Sequence, residues 1–153
     1  MSKDKALTGA AGEYYVAFRL TAQGYAIGLT PRRTSSIDLI VANPNTGKSI
    51  TIQTKTMGIA RGTASWWKWR VGKASLRPGH ETFFYAFVDL KSDPSQTPDV
   101  FIVPSSELAS FLEVYPVGVE PESKEVKDVW CVIEQEDALK YQNRWDIIKD
   151  ALA

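Results

Sequence analysis

The sequence predicts a mixed α/β domain, with a central mixed β-sheet flanked by helices, and three patterns along its 153 residues carry that expectation. An apolar stripe at helical spacing opens the chain. Two alternating segments joined by a turn follow it, and then come three further apolar runs of strand length among segments of helical character. With 44% apolar and 11% aromatic residues, a chain of this length can bury one proper core, so a single domain over residues 1–153 is expected.

The first helix is read from Lys5 to Gln23. Thr8 is its expected N-cap, Gly9, Val16, Ala17 and Leu20 form its buried face, and Gly24 is its stop. Tyr25 to Thr30 is a short strand. Ser36 to Asn43 and Ser49 to Thr56 form a hairpin around Pro44-Asn-Thr-Gly47. Strands are expected at Phe83 to Leu90, Val100 to Val103 and Val129 to Ile133, and helices at Ser106 to Glu113 and Gln135 to Leu152. Trp145 and Ile148 of the last helix are expected to pack on the domain. Lys91 to Pro98 and Val117 to Lys127, rich in Pro, Ser and charge, read as surface connections.

No apolar run is long enough to span a bilayer, and Met1-Ser-Lys-Asp-Lys has no signal-peptide core, so a cytoplasmic protein without a membrane partner is expected. The single cysteine, Cys131, lies in an apolar run and reads as a buried thiol. A formal net charge of zero conceals a division along the chain. Residues 1–80 hold 12 Lys and Arg against 3 acids, a balance of +9, and residues 81–153 hold 6 against 15, a balance of −9. A polyanion responds to such local patches rather than to the total, although solvated surface charge would give the same count.

Counting back from the turn, Asn43 opposes Lys48, Val41 opposes Ile50 and Asp38 opposes Gln53. Strand alternation then places Asp38, Gln53 and Lys55 on one face, and Ile37, Leu39, Ile50 and Ile52 on the other. Glu13 falls in line with the buried stripe of the first helix, where a carboxylate requires a cation, a metal or a raised pKa. The competing reading for Glu13 is an ion pair with Arg19 or Arg33, and for Lys55 and Gln53 it is ordinary solvent-facing strand positions. Two carboxylates and an amide oxygen form a hard-donor set suited to Mg2+ or Mn2+ rather than zinc. Lys55 would add a positive charge beside a scissile phosphate.

The helix with Gly12-Glu13, the strand Ser36-Ile-Asp38-Leu-Ile-Val and the strand Ile52-Gln53-Thr-Lys55-Thr together resemble the PD-(D/E)XK, restriction-endonuclease-like nuclease superfamily over roughly the first 56 residues. By that resemblance Asp38, Gln53 and Lys55 take the D, D/E and K positions, and Glu13 takes the helix acid. The resemblance implies a Mg2+- or Mn2+-dependent endonuclease that hydrolyses DNA, duplex or branched. Glu13, Asp38 and Gln53 would be its metal ligands, and a homodimer or larger assembly would serve the cutting of two strands. Ile37 replaces the frequent proline, which is not a ligand. Gln53 replaces an acid and lowers the ligand charge by one, which keeps open a non-catalytic DNA-binding or protein-interaction module on the same fold.

The segment from Thr56 to His80 carries six basic residues, three tryptophans and no acid. Arg61, Lys68, Arg70, Lys73 and Arg77, with Arg32 and Arg33, are the expected DNA contacts. Interleaved Trp66, Trp67 and Trp69 are expected chiefly in the core, with Trp66 and Trp69 as one pairing and Trp67 alone as the other, although aromatic groups among bases serve nucleic-acid grooves too. The same segment would also serve an RNA-directed nuclease. His80, the only histidine, has no accompanying nucleophile motif and reads as a loop residue; there is no phosphate-binding glycine loop and no zinc pattern.

Overall fold

The computed structural model describes residues 4–31, 36–58, 63–72, 76, 79–113 and 128–153. Helix α1 runs over Lys5–Ala22 and stops at Gly24, whose φ of 93° suits glycine. Its N-cap is Asp4, not Thr8: the Asp4 carboxylate accepts from the Ala6 N–H at 2.8 Å, and Thr8 is buried inside the helix. The buried face comprises Thr8, Ala10, Gly12, Val16 and Leu20, which leaves Glu13 half-buried on its flank.

Strands β1 (Ala26–Leu29), β2 (Leu39–Ala42), β3 (Ser49–Met57), β5 (Phe83–Asp89) and β6 (Asp99–Pro104) form a five-stranded sheet in the order β1-β2-β3-β5-β6. The β3–β5 pair is parallel and the others are antiparallel, so the sheet is mixed. A second sheet joins β4 (Trp66–Gly72), β7 (Leu112–Glu113) and β8 (Asp128–Glu134) in the order β4-β8-β7. Helices α2 (Gln135–Tyr141) and α3 (Asp146–Leu152) complete the chain.

Two cores lie on opposite faces of the large sheet. On one, Val16 and Leu20 of α1 and Trp145, Ile148 and Leu152 at α3 cover Leu39, Val41, Ile50, Ile52, Phe84 and Ala86. On the other, Trp67, Trp69 and Val71 of β4, Val129, Cys131 and Ile133 of β8, and Ala138 and Tyr141 of α2 cover Phe83, Tyr85, Phe87 and Phe101. Every residue of β5 is therefore buried, as expected for a central strand covered on both sides. Burial pushes the Cys131 thiol pKa up, as befits a structural thiol. Among the described residues no helix is long and apolar enough to cross a membrane.

Three expectations are corrected by tertiary contacts. Ser106 to Glu113 is not an α-helix: a 3-10 turn at Leu108–Phe111 gives way to Leu112–Glu113, which pair with β8. The helix expected from Gln135 to Leu152 breaks into two. Asn143 adopts a φ of 55°, its backbone N–H donates to the Val100 carbonyl at 2.6 Å, and its side-chain oxygen accepts from the Val100 N–H at 3.0 Å, so the chain leaves the helix to close the start of β6. Trp66 to Gly72, read from sequence as a basic aromatic segment, is a strand with Trp67 and Trp69 buried and Trp66 exposed, so the indoles pair at strand spacing. Both buried indole N–H groups are satisfied, Trp67 by the Asp89 carboxylate at 3.1 Å and Trp69 by the Val88 carbonyl at 3.0 Å.

Helix α1 comes close against β3 at Gly12, where a Cβ would lie 1.9 Å from Thr56 Oγ1 and 3.0 and 3.1 Å from its Cβ and Cγ2. Rotating Thr56 cannot relieve the 3.0 Å contact with its Cβ, so the helix must move outward to admit a methyl. Gly12→Ala is expected to lower stability in chemical denaturation by about 1–3 kcal/mol, despite the better helix propensity of alanine. Adding Thr56→Gly should recover part of that loss; two additive effects would contradict a direct clash. A second expectation concerns acid. Burial alone would raise the Asp99 carboxyl pKa, but hydrogen bonds from Lys91, Asn143 and Gln142 and the Lys91 charge outweigh it and hold the group below its usual range. That contribution is complete above the unfolded pKa near 3.9 and is lost as pH falls through the lower folded pKa. Asp99→Asn should therefore flatten the stability profile on the acid side of about pH 4, measured by denaturation at stepped pH.

Candidate functional site

The hairpin that carries the candidate residues has the register read from the turn. Val41 opposes Ile50, and the Asn43 N–H donates to the Lys48 carbonyl at 2.9 Å. Gly47, with a φ of 74°, closes the turn, and its N–H donates to the Asn43 carbonyl at 2.9 Å. At the far end of β2 the regular pairing fails by one residue. Leu39 opposes Ile52, yet the Asp38 N–H also donates to the Ile52 carbonyl at 2.9 Å, so two residues of one strand address one of the other. This is a β-bulge, and it reverses the alternation: Leu39 points into the α1 core, whereas Ile37 packs with Met57 against the opposite core. The expectation that Ile37 shares a face with Leu39, Ile50 and Ile52 is thereby corrected.

The bulge determines what the Asp38 side chain does. Its Oδ2 accepts from the Thr54 N–H at 2.7 Å, occupying the ladder position that a backbone carbonyl of β2 would otherwise fill. Its own carbonyl accepts from the Thr30 N–H at 3.0 Å. Asp38 therefore lies along the edge of β3 rather than on the face that carries Gln53 and Lys55. Beyond Ile52, among the described residues, no strand pairs with this edge, while β5 continues on the other side as far as Met57. The result is a notch at Gln53 to Met57.

Two sets of side chains border the notch. Ile50 and Ile52 face α1, so Thr54 and Thr56 do too, and the helix residue against Thr56 is Gly12, the neighbour of the half-buried Glu13. Gln53 and Lys55 lie on the opposite face, with Gln53 paired across to Tyr85. Asp38 joins the two sides at the edge. Gln53 is only 4% exposed, and its Oε1 has no hydrogen-bond partner; Thr54 Oγ1 and Thr56 Oγ1 are likewise buried and unpartnered. A buried acceptor without a donor costs on the order of 1–3 kcal/mol, and three such oxygens within four residues of one strand are a concentrated departure from ordinary core design.

Among the described residues there is no group of three or more His, Cys, Asp or Glu side chains that could hold a metal ion. The oxygens the structure places at the notch are those of the Asp38 carboxylate and the Gln53 amide, and the orphaned Gln53 oxygen is an acceptor that a cation would satisfy. This donor chemistry fits Mg2+ or Mn2+. Thr54 and Thr56 were not singled out in the sequence. The signal available was their alternation, since two hydroxyls continue the apolar face begun by Ile50 and Ile52.

Of the candidate DNA contacts, Lys68 and Arg70 are on the outward face of β4, with Lys68 half-buried and Arg70 exposed. Arg32, Arg33, Arg61, Lys73 and Arg77 lie outside the described residues. His80 is an exposed loop residue, tied through its backbone N–H to Ser105 Oγ at 2.8 Å and through its carbonyl to the same hydroxyl at 2.9 Å.

No protein-family model matches the sequence, and no curated protein matches it. Among solved structures, the chain is similar to a bacterial homing endonuclease, I-Ssp6803I, with a TM-score of 0.62 over 96% of this chain and 94% of that one, at 14% sequence identity. The mixed α/β fold is thus one that a DNA-cleaving enzyme also uses.

Two substitutions separate the architecture of the notch from its chemistry. Asp38→Asn keeps an oxygen for the Thr54 N–H and should fold close to wild type, whereas Asp38→Ala should lose about 1–3 kcal/mol in denaturant unfolding. Gln53→Met removes the orphaned acceptor and should leave stability unchanged or raise it by up to about 1 kcal/mol. A marked loss from Gln53→Met would mean that the amide is structural.

Proposed function

We propose that this protein is a metal-dependent DNA endonuclease of the PD-(D/E)XK, restriction-endonuclease-like type. The observation that carries the reading is the notch in β3, where Asp38 is pinned to the Thr54 N–H and the preceding residue, Gln53, buries an oxygen that has no donor. The fold shared with a homing endonuclease supports the same reading. Glu13, Asp38 and Gln53 would hold Mg2+ or Mn2+, which supplies Lewis-acid activation of water and neutralises phosphate charge. Lys55 places an ammonium on the Gln53 face, where it balances charge on the scissile phosphate and helps orient the attacking water. Asp38 has one oxygen, Oδ2, already oriented by the Thr54 N–H before any substrate arrives. Lys68 and Arg70, with the arginines and lysine outside the described residues, draw the polyanion to the basic half of the chain.

The reading is tested by cleavage of duplex and branched DNA in Mg2+ and Mn2+. Asp38→Asn and Lys55→Ala should each lower the rate at least about 100-fold, in line with the loss of one electrostatic or acid-base group. Gln53→Glu should keep or tighten ion binding, read as the rise in melting temperature on adding Mn2+. Gln53 also favours one second reading, a DNA-binding module that no longer cuts, because the neutral amide holds a cation less strongly than a carboxylate. Salt-sensitive DNA binding without cleavage on any substrate, including matched RNA, would select it. For an enzyme that cuts both strands, two copies would act together, and sedimentation with and without DNA would reveal them.

A further inference from the structure

The small sheet has an outward face that neither the core nor the notch uses. Because Trp67, Trp69 and Val71 point inward, Trp66, Lys68 and Arg70 form a row on the outer side of β4. On β8, Val129, Cys131 and Ile133 point inward, so Trp130, Val132 and Glu134 form the neighbouring outer row, with Arg70 opposite Trp130 and Trp66 opposite Glu134. Trp66 is 41% exposed. The Lys68 ammonium lies 4.3 Å from the Trp130 ring centroid and 5.8 Å from that of Trp66, so the cation is held across the face between two indoles rather than extended into solvent.

We propose that this face is a stacking platform for an unpaired nucleotide, with the base on the exposed indole of Trp66 and the adjoining phosphate on Lys68 and Arg70. The proposal rests on the nucleic-acid reading above but not on cleavage. Three properties of the face suit that ligand. An exposed indole at the end of a strand offers a π-surface that any base can cover, whereas the base faces of an intact duplex are hidden. The Cα atoms of Lys68 and Arg70 stand two residues apart on the same side of the strand, about 7 Å, close to the spacing of phosphates along an extended strand. Glu134, opposite Trp66, repels a phosphate there and so leaves Trp66 to the base and the Lys68–Arg70 end to the backbone. The β4 row of the face, which supplies both cations, belongs to the half of the chain with a charge balance of +9, complementary to a polyanion. Since β4 packs over the Met57 end of β3, through Trp67 on Asp89 and Trp69 on Val88, a strand lying on this face is one sheet layer from the notch.

The test uses the full chain in EDTA, so that cleavage plays no part, with fluorescent oligothymidine and a blunt duplex of equal length as probes. Trp66→Ala should weaken oligothymidine binding about tenfold, as expected for the loss of one stacked base, and change duplex binding by less than about twofold. Trp66→Phe should retain most of the strand affinity, which a merely structural role for the exposed indole would not require. Lys68→Ala should weaken both and lower the slope of log affinity against log salt by about one. Unchanged oligothymidine binding by Trp66→Ala would overturn the proposal, and so would an equal loss on strand and duplex, which would make the face a phosphate contact only. If no DNA is cut under any condition while the Trp66 effect holds, the nuclease reading fails and the platform stands.

Discussion

One hydrogen bond organises the candidate site, that from the Thr54 N–H to the Asp38 carboxylate. By accepting where a strand carbonyl would, Asp38 ends the regular ladder with a side chain instead of a backbone group. The bulge that allows this turns Ile37 into one core and Leu39 into the other. The residues on either side of Asp38 therefore pack into different cores, and its Oδ2 is oriented by the Thr54 N–H. Among the described residues, the edge of β3 beyond Ile52 is left without a strand partner as the direct result.

That edge would be a liability in a protein without a use for it, since unpaired strand edges invite association. Here it is bordered by α1 on one face and by the β4 layer on the other. The glycine at position 12 permits the helix to approach, because only a residue without Cβ fits against Thr56. The cores beneath are dense with aromatic groups: Trp69 contacts Phe87 and Phe101 with ring centroids 5.1 and 5.3 Å apart, and Trp67 contacts Phe101 at 4.8 Å. A stiff double core supports a short polar segment, Gln53 to Thr56, whose buried oxygens carry a local cost. The burial of β5 on both faces is the compensating gain on the adjacent strand.

The parts of the fold legible in the sequence are those governed by local pattern. The hairpin was readable because Pro44 to Gly47 fixes the loop length and the loop length fixes the register. Helix α1 was readable from its stripe, although its cap was misplaced, since Asp4 and Thr8 both have suitable side chains and only geometry chooses. Three other features were decided by distant partners. Leu112 and Glu113 become a strand because β8 offers an edge, Asn143 breaks a helix to reach Val100 on β6, and Trp67 turns inward because Asp89 receives its indole N–H.

For the candidate site, the sequence by itself determined the residue types, their order and the register of the hairpin up to Leu39 and Ile52, so that Asp38, Gln53 and Lys55 could be named together and Glu13 recognised as a carboxylate near a buried stripe. Tertiary structure decided how they stand. Register is a property of one turn and two strands, whereas a bulge depends on which core each flanking residue can enter, and that depends on helices and strands far along the chain. The sequence therefore placed three groups on one face. The fold instead set Asp38 along the strand edge, beside a notch that no linear pattern records, with Gln53 and Lys55 on the face away from α1.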